Sequence, residues 1–179
     1  MYKKIPFLGI LAAIATIIFS IESLVPLPVP WVRIGLANLV TVLILIWWGT
    51  KDAFFVLFLR ILLGSLLIGK FLQPAFFLSL SGGCGSLLVM ALILRFYPRW
   101  IGLVGLSVMG AVTHNLVQIL FSFLLYIHHV KIFTFLPFFL FTGLLTGCLI
   151  GFLAHLIDFR LGHKITAREN PTALKEITT

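Results

Sequence analysis

Six apolar stretches, each closed by proline, glycine or a basic residue, take up nearly all of the sequence between residues 6 and 159. That succession leaves few folds open. A helix needs on the order of 20 apolar residues at about 1.5 Å rise each to cross a bilayer. Six such helices with short loops consume the chain and leave no room for a soluble catalytic domain. Charged residues make up only 10% of the 179 positions, whereas a soluble domain is roughly a quarter charged because water must solvate its surface. With a mean hydropathy of +1.19, most of the surface must face hydrocarbon. The chain reads as an all-α integral membrane protein: a six-helix transmembrane domain over residues 1–159 and a polar cytoplasmic tail over residues 160–179.

The punctuation places the spans at residues 6–23, 33–48, 52–69, 74–97, 100–127 and 133–159. After the first comes Leu24-Val25-Pro26-Leu27-Pro28-Val29-Pro30, whose alternating prolines cannot continue a helix, so an extended apolar loop is expected there with Trp31 at the interface. The fifth span is long enough to tilt. Met1-Tyr2-Lys3-Lys4 before an apolar run has the outline of a signal peptide. It lacks a small-residue cleavage site and more spans follow it, so it reads as a retained first helix.

With the N-terminus inside, the cytoplasmic side carries Lys3, Lys4, Lys51, Arg95, Arg99, Arg160, Lys164, Arg168 and Lys175, and the outer side Arg33, Lys70 and Lys131. Nine bases against three satisfy the positive-inside rule with both termini cytoplasmic, as expected of a multi-pass protein of a bacterial plasma membrane. In a soluble protein a net charge of +8 would suggest nucleic acid. Here the bases sit at helix ends and set orientation, so no nucleic-acid partner is expected. Cys84 and Cys148 lie within apolar runs without CxxC spacing and read as packing residues.

Polar residues inside a membrane are costly and tend to be functional. Arg60 lies deep in the third span, where it requires a carboxylate, carbonyls, a wet cavity or an anionic ligand. An intramolecular pair with Glu22 or polar groups of the fifth span is one solution; a ligand cavity is the other. The fifth span carries Thr113-His114-Asn115, Gln118, Ser122 and Tyr126. Asn115, Gln118 and Ser122 fall at i, i+3 and i+7 and share a helical face, with His114 beside it. Such a stripe lines a cavity or bonds neighbouring helices. At the outer end stand Glu22, Arg33, Asn38 and Lys70. Glu22 and Arg33 either form an ion pair pinning the proline loop or contact a ligand. A cavity gathering Arg33, Arg60 and Lys70 against Glu22 would be net positive and suit an anionic or phosphate-bearing solute.

Small residues form the remaining pattern. Gly143, Gly147 and Gly151 share one face of the sixth span, which allows close helix approach. Gly82, Gly83, Gly85 and Ser86 do the same on the fourth. Gly9, Ala12, Ala13 and Thr16 form a similar face on the first, suited to internal packing or to a partner subunit. There is no GxSxG, phosphate loop or HExxH, and His128-His129 reads as a solvated loop. Asp52 and Asp158 stand alone, without the clustered carboxylates that hold magnesium. Neither a catalytic set, an enzyme activity, a metal nor an intrinsic cofactor is expected.

The run Glu22-Ser23-Leu24-Val25-Pro26-Leu27-Pro28, then Val32-Arg33-Ile34-Gly35-Leu36-Ala37-Asn38, resembles the Gx transporter family, often labelled heptaprenyl diphosphate synthase component I. Leu59-Arg60-Ile61-Leu62-Leu63-Gly64-Ser65, residues 76–86, and His114-Asn115 with Gln118 extend the resemblance over residues 8–155. That family is similar to the substrate-binding S components of energy-coupling factor (ECF) transporters, which implies six helices, cytoplasmic termini and a small molecule held in their outer halves. It also implies partners: a transmembrane coupling subunit and two ATPases that hydrolyse ATP. S components dock through an Ala-xxx-Ala face on the first span, to which Gly9-xxx-Ala13 and Ala12-xxx-Thr16 are the nearest matches here. Two other roles follow from the resemblance. One is a membrane subunit of a flavin- or quinone-linked extracellular electron-transfer system, with a flavin-linked redox partner. The other is a non-catalytic part in heptaprenyl diphosphate synthesis.

Overall fold

The computed structural model describes residues 4–24, 35–97 and 101–162. Within them the chain forms six long helices and no strand: α1 (Lys4–Leu24), α2 (Leu36–Trp48), α3 (Thr50–Leu67), α4 (Pro74–Phe96), α5 (Leu103–Ser122) and α6 (Leu136–Ile157). Short π-helical turns extend α5 through Phe123–Ile127 and α6 through Asp158–Gly162, and a 3-10 turn, Val130–Phe135, leads into α6. Helical structure thus runs past residue 159, where the polar tail was expected to begin, as far as Gly162. The proline loop, Arg33 and residues 163–179 lie outside the described residues.

Local chemistry sets the boundaries. Gly35 precedes α2 in the left-handed region at φ 79°, and Gly49 joins α2 to α3 at φ 90°. A side chain at either position would be strained. Among the described residues the second helix begins at Leu36. Pro74 occupies the first turn of α4, where its missing N–H leaves no helical bond unmade.

Pairings at the helix ends fix an up-and-down order. At one end the Lys4 ammonium meets the Asp52 carboxylate at 2.5 Å, and Trp47 Nε1 donates to Asp158 Oδ1 at 2.8 Å. This joins the start of α1 to that of α3, and the end of α2 to that of α6. At the opposite end Glu22 Oε1 accepts the Leu36 N–H at 2.6 Å and Lys70 Nζ donates to the Ser23 carbonyl at 3.2 Å. Neighbours run α1–α3–α4–α5–α6–α2 and back to α1, with α2 also against α3.

Ile44, Leu57, Ile61, Met90 and Leu106 fill the centre with essentially no exposure. The outside is equally apolar: Ile10, Ile14, Ile17, Phe55, Leu88, Phe141 and Phe152 are all exposed. In water so extensive an apolar surface would aggregate; against lipid it is the favoured solution. Four helical segments, Lys4–Leu24, Pro74–Phe96, Leu103–Ile127 and Val130–Gly162, are long and apolar enough to cross a membrane. α2 has 13 residues, about 20 Å of helix. α3 carries Lys51, Asp52 and Arg60 within its 18 residues. The protein is an all-helical membrane protein.

The α6 stripe lies against α5. A Cβ at Gly147 would stand 2.6 Å from the Val108 Cα, and one at Gly151 2.6 Å from the Val104 Cα. Gly143 meets Asn115 and the Ala111 carbonyl. The small residues of α1, by contrast, do not form one face. Ala12 and Thr16 are buried, with Thr16 Oγ1 donating to the Ala12 carbonyl at 2.8 Å, whereas Gly9 and Ala13 are exposed and a Cβ at Gly9 would meet nothing within 4 Å. The four positions span about 100° of arc at 100° per residue, and the edge of the packed side runs through them.

Candidate functional site

Arg60 is 4% exposed, between the buried Leu57 and Ile61. Counting 1.5 Å per residue, it sits about 15 Å from the start of α3 and about 10 Å from its end, so it is offset toward the end of the bundle that carries Glu22. Its Nη2 donates to Asn38 Oδ1, in the first turn of α2, at 3.4 Å. That is long for an N–H···O bond. The contact ties the guanidinium of α3 to α2 beside the space that both residues line.

That space is a cavity of about 50 Å³ to which all six helices contribute. α1 supplies Phe19 and Glu22, α2 Asn38, α3 Arg60, α4 Ser79, α5 His114, Asn115 and Gln118, and α6 Thr146. Six of the eight residues singled out from sequence therefore line one cavity. Arg33 lies outside the described residues. Lys70 does not line the cavity: α3 ends at Leu67, Gly69 turns the chain at φ 66°, and Lys70 reaches over the end of α1 to Ser23 instead.

The α5 stripe divides its hydrogen bonds between two neighbours. Asn115 Nδ2 donates to the Phe139 carbonyl of α6 at 2.7 Å, and Gln118 Nε2 to the Leu78 carbonyl of α4 at 3.3 Å. Each amide spends one N–H on packing yet faces the cavity, so the two alternatives for this stripe hold together. Ser122 is buried beyond it and does not line the cavity. Gly82 of α4 brings that helix against the same wall. A Cβ there would fall 2.9 Å from Gln118 Cγ and 3.0 Å from His114 Cε1.

Glu22 holds the position expected of it at the end of α1, but with a role sequence reading missed. Its carboxylate caps α2, satisfying one of the first N–H groups of a helix whose preceding Gly35 has no side chain to do so. Ser79 and Thr146 also escaped notice. Thr146 lies at i+3 from Gly143 and beside Gly147, so extending the glycine face by one position finds it. Ser79 has no comparable signal, since Ser81 and Ser86 on the same helix look alike in sequence.

Among the described residues the cavity offers the Arg60 guanidinium, the Glu22 carboxylate, an imidazole, three amides and two hydroxyls. Such a set binds and orients a small polar molecule. At about 50 Å³ it admits water or a small anion, well below the roughly 300–1,000 Å³ of sites for drug-sized ligands. A larger solute requires the helices to part.

The family described as heptaprenyl diphosphate synthase component I matches residues 11–157. The chain belongs to that family. The matched region of this component I member runs from the first half of α1 to the end of α6 and so includes every helix that lines the cavity. Comparison with curated proteins gave no match, and comparison with solved structures gave none.

Proposed function

We propose that this component I protein is the membrane-embedded substrate-binding subunit of a small-molecule transporter, of the ECF S-component kind, and that the cavity at Arg60 takes an anionic or phosphate-bearing solute. One observation carries the reading: a guanidinium at 4% exposure opens into a cavity shared by all six helices, with Asn38, His114, Asn115 and Gln118 around it. A buried guanidinium in a cavity lined by several hydrogen-bonding side chains is suited to an anionic group.

In this reading all six helices span. α3 is tolerated in the membrane because Asp52 is neutralised by Lys4 and Arg60 is buried within the bundle. The Glu22 end is extracellular and both termini are cytoplasmic, a reading that the nine-to-three distribution of bases supports. Transport then depends on a coupling subunit and ATPases supplied by partners. Binding rather than catalysis is supported by the engagement of the acids in structural contacts: Asp52 with Lys4, Asp158 with Trp47, and Glu22, at the cavity, with the start of α2.

The experiment is identification of whatever the purified protein carries. Mass spectrometry of small molecules released from wild type should reveal an anionic compound that Arg60→Ala no longer retains. Wild type that carries nothing, and binds none of a panel of phosphate compounds, vitamins and flavins, would defeat the proposal. Co-purification with a coupling ATPase would support transport, and with a flavinylated partner the electron-transfer role.

A further inference from the structure

Lys51 opens α3 two residues after the Gly49 turn, and Arg95 lies in the last turn of α4. Both are exposed, and both line a groove of about 770 Å³ at the end of the bundle away from Glu22. Its floor includes Leu45 and Leu87, at 3% and 2% exposure, and its open walls are Phe54, Leu88 and Leu92, at 49%, 60% and 46%. The volume lies within the roughly 300–1,000 Å³ that hold drug-sized molecules, unlike the small cavity at Arg60.

Among the described residues no carboxylate pairs with the charges at its mouth. Asp52, next to Lys51, is taken by Lys4, and among the described residues neither Lys51 nor Arg95 has an ion-pair partner. An apolar trough on a lipid-facing flank, ending in two cations near a membrane surface, is complementary to an amphiphile with an anionic head. We propose that this groove retains an anionic phospholipid from the surrounding leaflet. One acyl chain lies along Phe54, Leu88 and Leu92, and the head-group phosphate sits between Lys51 and Arg95. Phosphatidylglycerol suits two cations, whereas the choline of a zwitterionic head brings its own positive charge against them. The inference does not depend on what the Arg60 cavity binds.

Native mass spectrometry of the full chain in detergent, with equal amounts of phosphatidylglycerol and phosphatidylcholine, tests it. Wild type should retain phosphatidylglycerol preferentially. Lys51→Gln and Arg95→Gln should each lower that preference about fivefold, the effect of one basic residue near an anionic surface. Leu88→Trp, which fills the trough, should lower retention of the lipid itself. Lys131→Gln, outside the groove, should change nothing. Equal retention of the two lipids by wild type, or an equal loss in Lys131→Gln, would overturn the proposal. Farnesyl diphosphate, added at the same concentration, tests the other source of the same chemistry. It should leave the bound lipid in place, and displacement of the lipid would reassign the groove to a prenyl diphosphate and overturn the phospholipid assignment.

Discussion

The Glu22 carboxylate and the Leu36 backbone are joined at 2.6 Å, so the last turn of α1 caps the first turn of α2. The cap comes from across the loop because Gly35 offers no side-chain acceptor. Glu22→Ala should therefore destabilise the fold by about 1 kcal/mol, the usual cost of a lost N-cap. Glu22→Gln, which keeps an acceptor oxygen, should lose less. Thermal unfolding in detergent checks both, and an unchanged midpoint for Glu22→Ala would remove the capping role.

Arg60 poses a choice between a structural ion pair and a ligand-holding charge, and the two predict opposite behaviour on neutral replacement. Breaking a buried pair costs about 3–5 kcal/mol. Exchanging a membrane-buried cation that the scaffold does not rely on for an apolar side chain relieves roughly 2.5–3.5 kcal/mol of insertion cost. As a ligand-holding charge, Arg60 predicts that Arg60→Met retains the wild-type unfolding midpoint or raises it, while the anionic compound released from wild type disappears. A large drop in the midpoint would assign Arg60 to the scaffold.

These two residues also show what the sequence could convey. A deep arginine in an apolar span is legible because hydrocarbon makes the position expensive wherever the helix turns, and the i, i+3 spacing of Asn115 and Gln118 fixes a common face. Gly49 and Gly69 likewise mark helix ends, and Pro74 a helix start, close to where the sequence placed them. Long-range partners were not legible. That Lys70 would cross to Ser23, that Trp47 would bond Asp158, and that Glu22 would cap α2 all depend on how helices lean together, which local periodicity does not encode. The split of the α1 small-residue face has the same origin, since only packing decides where along its arc the buried side ends.

Gly82 sets the width of the cavity. A methyl group there would fall 2.9 Å from Gln118 Cγ and 3.0 Å from His114 Cε1, inside van der Waals contact, and the space to be shared is about 50 Å³. Gly82→Ala should displace both side chains and weaken ligand retention by about tenfold or more, equivalent to about 1.4 kcal/mol. Overpacking should cost about 1–3 kcal/mol of stability as well. Gly49→Ala, strained at φ 90° but remote from the cavity, serves as the control for destabilisation alone. If both variants lose ligand equally, the effect is on the fold and not the site.

The exposed and buried glycines of α1 and α6 separate internal packing from partner docking. At Gly147 an added Cβ meets the Val108 Cα at 2.6 Å, and backbone cannot rotate away. Gly147→Ala should push α5 from α6 at a cost of about 1–3 kcal/mol and lower the unfolding midpoint. At Gly9 nothing lies within 4 Å, so Gly9→Ala should leave the isolated subunit unharmed and gain up to about 1 kcal/mol from helix propensity. Gly9→Leu should fold equally well alone. If the shallow Gly9–Ala13 surface is where a coupling subunit packs, Gly9→Leu should nevertheless reduce co-purification with that subunit and abolish solute uptake, with ligand retention intact. Normal uptake by Gly9→Leu would place the docking surface elsewhere on the bundle.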